Sequence, residues 1–210
     1  MSFVFSKKCL RGGFTLIELI VSVGILVMIG SGVIAFEQSV LKNTKILQSE
    51  LTAQQQVRRT LSTFVADLRS ATQSSAGAYA IDTAATSTII FYANIDSDAS
   101  IERIRYAFAT GTLIRGVLKP TGLVYNVANE STSTVVSDVA NGTSTSIFTF
   151  YDTGYDGFTS SSTDPLPTPI NIPAIRMIKM TVMVDPNGAR PPNMKTYTTQ
   201  VSIRNLKDNL

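Results

Sequence analysis

The sequence predicts an α+β fold in which one long N-terminal helix precedes an antiparallel β-sheet and packs on it. Residues 14–36 form an apolar run of membrane-spanning length, and residues 37–74 continue without proline or glycine. After residue 85, short segments alternate apolar and polar side chains, as half-buried strands do. A helical block followed by a block of strands is typical of α+β proteins.

The first half of the helix is predicted to span a membrane. The only polar or charged residues between positions 14 and 36 are Thr15, Glu18, Ser22 and Ser31. A helix of that length reaches about 35 Å, more than the roughly 30 Å of a hydrocarbon core.

The charges that flank this segment predict its orientation. Lys7, Lys8 and Arg11 precede the span, and no acidic residue lies before it. By the positive-inside rule the N-terminus stays in the cytoplasm. We therefore expect a single-pass protein of the cytoplasmic (inner) membrane, with its C-terminal head in the periplasm or outside the cell.

The segment around the start of the span carries a distinctive motif. Residues 11–18 read Arg-Gly-Gly-Phe-Thr-Leu-Ile-Glu. Inserting an acidic residue at the middle of a membrane helix costs about 2.5–3.5 kcal/mol. We therefore expect the Glu18 carboxylate to have a partner. In a secretory signal peptide the cleavage site follows the apolar segment, whereas here the glycine pair precedes it. The motif resembles the class III signal of type IV pilins and type II secretion pseudopilins.

This resemblance implies a processing step and an assembly role. A prepilin peptidase would cut between Gly13 and Phe14, removing residues 1–13, and would methylate the new amine of Phe14. Glu18 would then pair with the N-terminal amine of a neighbouring subunit during assembly. The partial positive charge at a helix N-terminus also favours a carboxylate close by. The implied partners are the peptidase, other pilin or pseudopilin subunits, the inner-membrane assembly platform and membrane lipid.

A looser resemblance favours a minor subunit over a major one. Residues 55–71 resemble the helix of J-type pseudopilins and W-type minor pilins. Removing 13 of the 210 residues leaves a mature chain of 197, longer than many major pilins. The expected function is initiation or tip formation in a type II secretion pseudopilus, a type IV pilus or a competence filament. The alternatives are a major fibre-forming pilin and a membrane-anchored surface or binding domain that never assembles.

The second half of the helix, residues 37–75, is predicted to be amphipathic and to enter the head, residues 76–210. Its apolar residues recur mostly at spacings of three, four or seven, which favours packing on a sheet over a coiled coil with a partner helix. They are Val40, Leu47, Leu51, Val57, Leu61, Phe64, Val65 and Leu68.

The head is predicted to contain six strands separated by Ser/Thr-rich loops. The predicted strands are residues 87–92, 103–108, 112–118, 147–151, 176–184 and 197–203. Two segments, residues 129–146 and 159–173, are low in apolar content or rich in proline, and are expected to lack regular structure.

Composition excludes several functions. The chain has no histidine, which excludes His-based catalysis and His-ligated zinc. Its one cysteine, Cys9, lies in the leader. Without the three leader cations, 15 of the 18 basic residues remain against 15 acidic ones, so no nucleic-acid partner is expected. No nucleophile–base pair, phosphate loop or cofactor motif appears, and we expect no enzyme activity and no cofactor. The loop Asp152-Thr-Gly-Tyr-Asp156-Gly is oxygen-rich, as calcium sites are, but an ordinary turn is favoured over a calcium site.

Overall fold

The protein is an α+β structure with one long helix and eight antiparallel strands in its described part. The structure, a computed structural model, describes residues 13–96, 98–142, 145–157, 164–186, 188 and 194–203. The chain divides into two compact units, Met1–Leu47 and Gln48–Leu210. The predicted fold class is confirmed. The N-terminal cations Lys7, Lys8 and Arg11 and the cysteine Cys9 lie outside the described residues.

Helix α1 runs from Leu16 to Arg69. The first sheet contains five strands in the order β1-β2-β3-β4-β5, and the second contains three in the order β6-β7-β8. The strands are β1 Ile81–Ala84, β2 Thr88–Ala93, β3 Glu102–Ala109, β4 Thr112–Leu118, β5 Ser131–Val136, β6 Phe148–Tyr151, β7 Met177–Val184 and β8 Lys195–Ser202. All neighbouring pairs are antiparallel.

Three expectations about element bounds were wrong. The helix ends at Arg69 and not near residue 74, because Thr72 N–H donates to the Tyr92 carbonyl and the chain joins the edge of β2. Strand β1 precedes the first predicted strand. Strand β5 lies inside the segment 129–146 that was expected to be a loop.

Strand β5 escapes sequence analysis because it is an edge strand. It pairs with β4 alone, from Val117↔Ser131 to Leu113↔Val136, and its first four residues are exposed. Backbone hydrogen bonds to β4 therefore define it, and they carry no hydrophobic pattern in the sequence.

The core of the second unit lies between α1 and the two sheets. Phe64 is fully buried, and its ring lies 5.1 Å from that of Tyr106 on β3 and 5.8 Å from that of Phe148 on β6. Aromatic pairs of this kind add about 0.5–1.5 kcal/mol beyond the burial of their area. One helical side chain therefore contacts both sheets.

The predicted apolar stripe is only partly a packing face. Val57, Phe64 and Leu68 are fully buried, and Leu61 and Val65 pack against the core. Leu51 is 57% exposed, so the expectation that it packs on the sheet was wrong. Val40 and Leu47, which belong to the first unit, are 45% and 60% exposed. The periodicity continues toward the N-terminus beyond the point where the sheets cover the helix.

Candidate functional site

The start of α1 brings together the residues that the sequence singled out. Gly13, Phe14 and Thr15 precede the helix, and Glu18 lies in its first turn. The Thr15 side chain accepts a hydrogen bond from the Glu18 N–H at 3.4 Å. Thr15 and Glu18 thus have the spacing of a capping box, a local signal for a helix start that sequence analysis did not use.

The hydroxyl groups further along the apolar run are satisfied within the helix. Ser22 donates to the Glu18 carbonyl at 2.7 Å, and Ser31 donates to the Met28 carbonyl at 2.9 Å. In contrast, none of the described residues donates a hydrogen bond to the Glu18 carboxylate or forms an ion pair with it. Glu18 is the one charged residue between positions 14 and 36.

The apolar side chains around Glu18 are not covered by any described part of the chain. Each large apolar residue from Phe14 to Phe36 is more than half exposed, from Val21 at 51% to Phe14 at 81%. The helix is long and apolar enough to cross a membrane, and none of its most apolar window is buried. This arrangement is compatible with a single-pass membrane anchor.

A second carboxylate of α1, Asp67, has its partners inside the head. The Tyr106 hydroxyl donates to Asp67 Oδ2 at 2.7 Å, and Arg115 Nε donates to the same oxygen at 2.9 Å. The Arg115 guanidinium also lies 5.9 Å from the centre of the Tyr106 ring. Burial, followed by the negative charge of Asp67, raises the pKa of Tyr106, so its hydroxyl remains a donor at any physiological pH.

A groove opens beside this network, between α1, β4 and β5. Its volume is about 330 Å³, and its lining includes Arg59, Thr63, Arg115, Ser133 and Thr134. Arg59 is exposed, and no residue in the described ranges pairs with it. The lining contains two arginines and no acidic residue.

Glu130, which precedes β5, forms a bidentate ion pair with Arg105 of β3. Arg105 Nε donates to Glu130 Oε1 at 2.9 Å, and Arg105 Nη2 donates to Oε2 at 2.6 Å. The Glu130 side chain lies over Gly116 of β4, where an added Cβ would approach Glu130 Cδ to 2.7 Å. The hydrogen bonds from Arg105 lower the pKa of Glu130.

The one group of three potential metal-ligating side chains in the searched, described part of the chain is Asp96, Asp98 and Glu102. Sequence analysis missed it, although Asn94, Asp96, Asp98, Ser100 and Glu102 recur at every second position. Oxygen donors of this kind suit calcium or magnesium.

In this structure an ammonium group balances part of the charge of that cluster. Lys119 Nζ contacts Asp96 and lies 2.9 Å from Asp98 Oδ2 and 3.8 Å from Glu102 Oε1. Hydrogen bonds from Ser100, then from Lys119, lower the pKa of Asp98. Hydrogen bonds to Asp96 and Asp98 raise the pKa of Lys119. A metal ion would have to displace this lysine.

The Asp152–Asp156 loop has the internal hydrogen bond of a turn. Asp152 Oδ1 accepts the Gly154 N–H at 2.8 Å, and Gly157 has a φ of +95°, which favours glycine. Among the residues that the structure describes, no third acidic side chain joins Asp152 and Asp156 in a metal-ligating group.

No protein-family model matches the chain, and no curated protein matches it at a significant level.

Proposed function

We propose that this protein is a filament subunit of the type IV pilin and pseudopilin class, in a minor, initiating or tip-forming role. The observation that carries the proposal is the start of α1. A single carboxylate, Glu18, lies in the first turn of an exposed apolar helix that begins two residues after Phe14.

The proposed function accounts for the lack of a described partner for the Glu18 carboxylate. Cleavage after Gly13 creates an amine at Phe14, and the amine of a neighbouring subunit supplies the counter-charge. Burying an unpaired ion in a medium of low dielectric costs several kcal/mol, so the pairing favours the assembled state over isolated chains in the membrane. Membrane lipid covers the apolar side chains before assembly, and the apolar helices of neighbouring subunits cover them afterwards.

The proposed topology and partners follow from the same segment. The N-terminus lies in the cytoplasm, the head lies outside the membrane, and a prepilin peptidase and an inner-membrane assembly platform act on the chain. A periplasm-active reporter fused after Leu210 is expected to be active, and the same reporter fused within residues 1–12 is expected to be inactive.

The N-terminal residue of the mature protein tests the proposal directly. Mass spectrometry of the membrane-extracted chain is expected to find N-methylated Phe14 as the first residue. Gly13→Val is expected to block cutting, because a β-branched side chain obstructs the approach of a peptidase to the backbone. Gly32→Val is the matched control, since a Cβ at Gly32 meets no other atom within 4 Å. A wild-type chain that retains residues 1–13 would instead identify a plain membrane-anchored surface domain.

Substitution of Glu18 tests the assembly role separately from processing. Glu18→Val is expected to leave insertion and cutting intact and to reduce cross-linking between the N-terminal helices of neighbouring subunits. Glu18→Gln keeps a side chain that suits the capping box but removes the charge, and is expected to assemble at an intermediate level. If Glu18→Gln assembles as well as wild type while Glu18→Val fails, the role of Glu18 is helix capping and not charge pairing.

A further inference from the structure

We propose that the groove between α1, β4 and β5 is a carboxylate-binding site, with Arg59 and Arg115 as its cationic partners. The groove lies in the second unit and is separate from the apolar run and from Glu18. Its volume of about 330 Å³ is large enough to admit an acidic side chain and a few neighbouring atoms.

The charges around the groove predict that the ligand is an anion. Arg115 and Asp67 balance each other, since the Arg115 guanidinium lies 2.9 Å from Asp67 Oδ2. Arg59 also lines the groove and has no acidic partner in the described part of the chain. One positive charge therefore remains, and one bound carboxylate would neutralise it.

Arg115 is held in place before any ligand arrives. Its Nε and one terminal nitrogen are both directed at Asp67 Oδ2, and Nε also contacts the Tyr106 hydroxyl at 3.1 Å. No described residue accepts a hydrogen bond from Nη1, although Arg115 lines the groove. A guanidinium fixed on one side that keeps free donors on the other loses little conformational entropy on binding.

Hydroxyl groups complete the lining. Thr63 on α1 and Thr134 on β5 face the groove, and neither has a side-chain hydrogen bond within the described chain. Thr60, by contrast, donates to the Val135 carbonyl at 3.1 Å and joins the helix to β5. Two arginines and unpaired hydroxyls match the planar, oxygen-rich shape of a carboxylate.

The source of the carboxylate that we favour is an acidic side chain of a neighbouring polypeptide, and this choice rests on the proposed function. Outside the membrane, a filament subunit meets the heads of other subunits, whose anionic groups are Asp and Glu. A free small carboxylate is the other source of the same chemistry.

The test uses the full chain in detergent micelles, with nitrogen-15 in its arginines. The probes are a blocked Gly-Asp-Gly-Asp-Gly peptide, its Asn counterpart, and citrate against chloride at equal ionic strength. The Nε–H signals of Arg59 and Arg115 are expected to shift with the acidic peptide and not with the Asn peptide. Binding of the peptide more tightly than of citrate identifies a polypeptide source, and the reverse order identifies a free carboxylate.

Two adjacent arginines provide a matched pair of variants. Arg59→Gln is expected to weaken binding about ten-fold, as loss of a charged hydrogen-bond donor does. Arg58→Gln removes the same charge one residue away, on the side of the helix that faces β8, and is expected to have less than about a two-fold effect. Both arginines are exposed, so neither substitution threatens folding.

Three results would overturn the proposal. The first is equal weakening of binding by the two variants, and the second is the absence of any shift at Arg59 and Arg115 with either carboxylate probe. The third uses an additional probe, a thymidine oligonucleotide with the same charge as the acidic peptide, and is tighter binding of that oligonucleotide than of the peptide. Because the test needs neither cutting nor assembly, the uncut Gly13→Val chain is expected to bind the peptide as wild type does. Failure of the proposed function therefore leaves this result unchanged.

Discussion

Two stretches of the same helix, residues 16–36 and residues 53–68, place their apolar side chains in opposite environments. In the first stretch every large apolar side chain is more than half exposed, whereas in the second Val57, Phe64 and Leu68 are fully buried. The first is apolar on all sides and the second only on one face. A helix that is apolar on all sides is compatible with a membrane span, and one that is apolar on one face is typical of packing against a protein core.

The carboxylates of the two stretches differ in the same way. Asp67 accepts hydrogen bonds from Tyr106 and Arg115. Glu18 has no such donor among the described residues, and under the proposed function its partner is another chain. Asp67 is buried, and buried polar groups are almost always hydrogen-bonded within the protein, whereas Glu18 is exposed.

The largest difference between the two stretches is expected when charged residues are introduced into the first one, residues 16–36. The double substitution Leu26→Lys and Ile29→Lys adds a penalty of about 5–7 kcal/mol on insertion scales. The fraction of protein that resists carbonate extraction is expected to fall sharply, and thermal unfolding of the head to remain unchanged. The matched control is Leu26→Ala with Ile29→Ala. A double-lysine chain that stayed in the membrane would show that residues 16–36 do not face lipid.

The reciprocal effect is expected from the second stretch. Phe64→Ala removes the ring that contacts both Tyr106 and Phe148, and is expected to lower the free energy of unfolding of the head by about 3–5 kcal/mol. Membrane retention is expected to be unaffected. Leu51→Ala is the control, since Leu51 has the same periodicity but is 57% exposed. Equal destabilisation by Phe64→Ala and Leu51→Ala would contradict the finding that the helix packs on the sheets at Phe64 but not at Leu51.

The elements whose side chains carry a pattern are the ones that the sequence predicts. Strand β7 alternates Ile178, Met180, Val182 and Val184 into the core, and the sequence predicted that face. It did not predict where the packing face of α1 begins, because the apolar spacing continues through the exposed Leu51. It also missed β5, whose definition comes from hydrogen bonds to β4.

The candidate sites divide along the same line. Gly13, Phe14 and Glu18 lie within six residues of one another in the sequence, so a local motif is enough to single them out. The groove combines Arg59 of α1, Arg115 of β4 and Thr134 of β5. These residues are distant in sequence and come together only through the packing of helix and sheet, so no local pattern indicates them.

A smaller loss of stability is expected when Asp67 loses its charge. Asp67→Asn keeps an acceptor but leaves Arg115 half-buried without its counter-ion, and is expected to cost about 1–3 kcal/mol of unfolding free energy. Asp82→Asn breaks the more exposed pair with Arg103, at 3.3 Å, and is expected to cost less than about 1 kcal/mol. Chemical denaturation of the two variants measures the difference. Equal losses of unfolding free energy in the two variants would mean that the buried Asp67 network stabilises the head no more than the exposed Asp82–Arg103 pair does.

The smallest effect is the pH dependence contributed by Glu130, a carboxylate whose partner also lies inside the chain. Its pKa in the folded protein lies below the ordinary value of 4.5, chiefly because of the hydrogen bonds from Arg105. The unfolded chain therefore binds this proton at a higher pH than the folded one does. The stabilisation is fully present above pH 4.5 and is lost as the pH falls through the folded pKa.

Glu130→Gln is accordingly expected to lower the free energy of unfolding by about 1 kcal/mol at pH 7 and to flatten its decline on acidification below the ordinary pKa of the carboxyl group. Gly116→Ala is expected to act in the same direction, because a Cβ displaces the Glu130 side chain from Arg105. Glu18→Gln is the control from the first stretch: it removes a carboxylate without a described partner, so the acid limb of head unfolding should match that of wild type. A wild-type slope in Glu130→Gln would show that the Arg105–Glu130 pair makes no contribution to stability, despite its geometry.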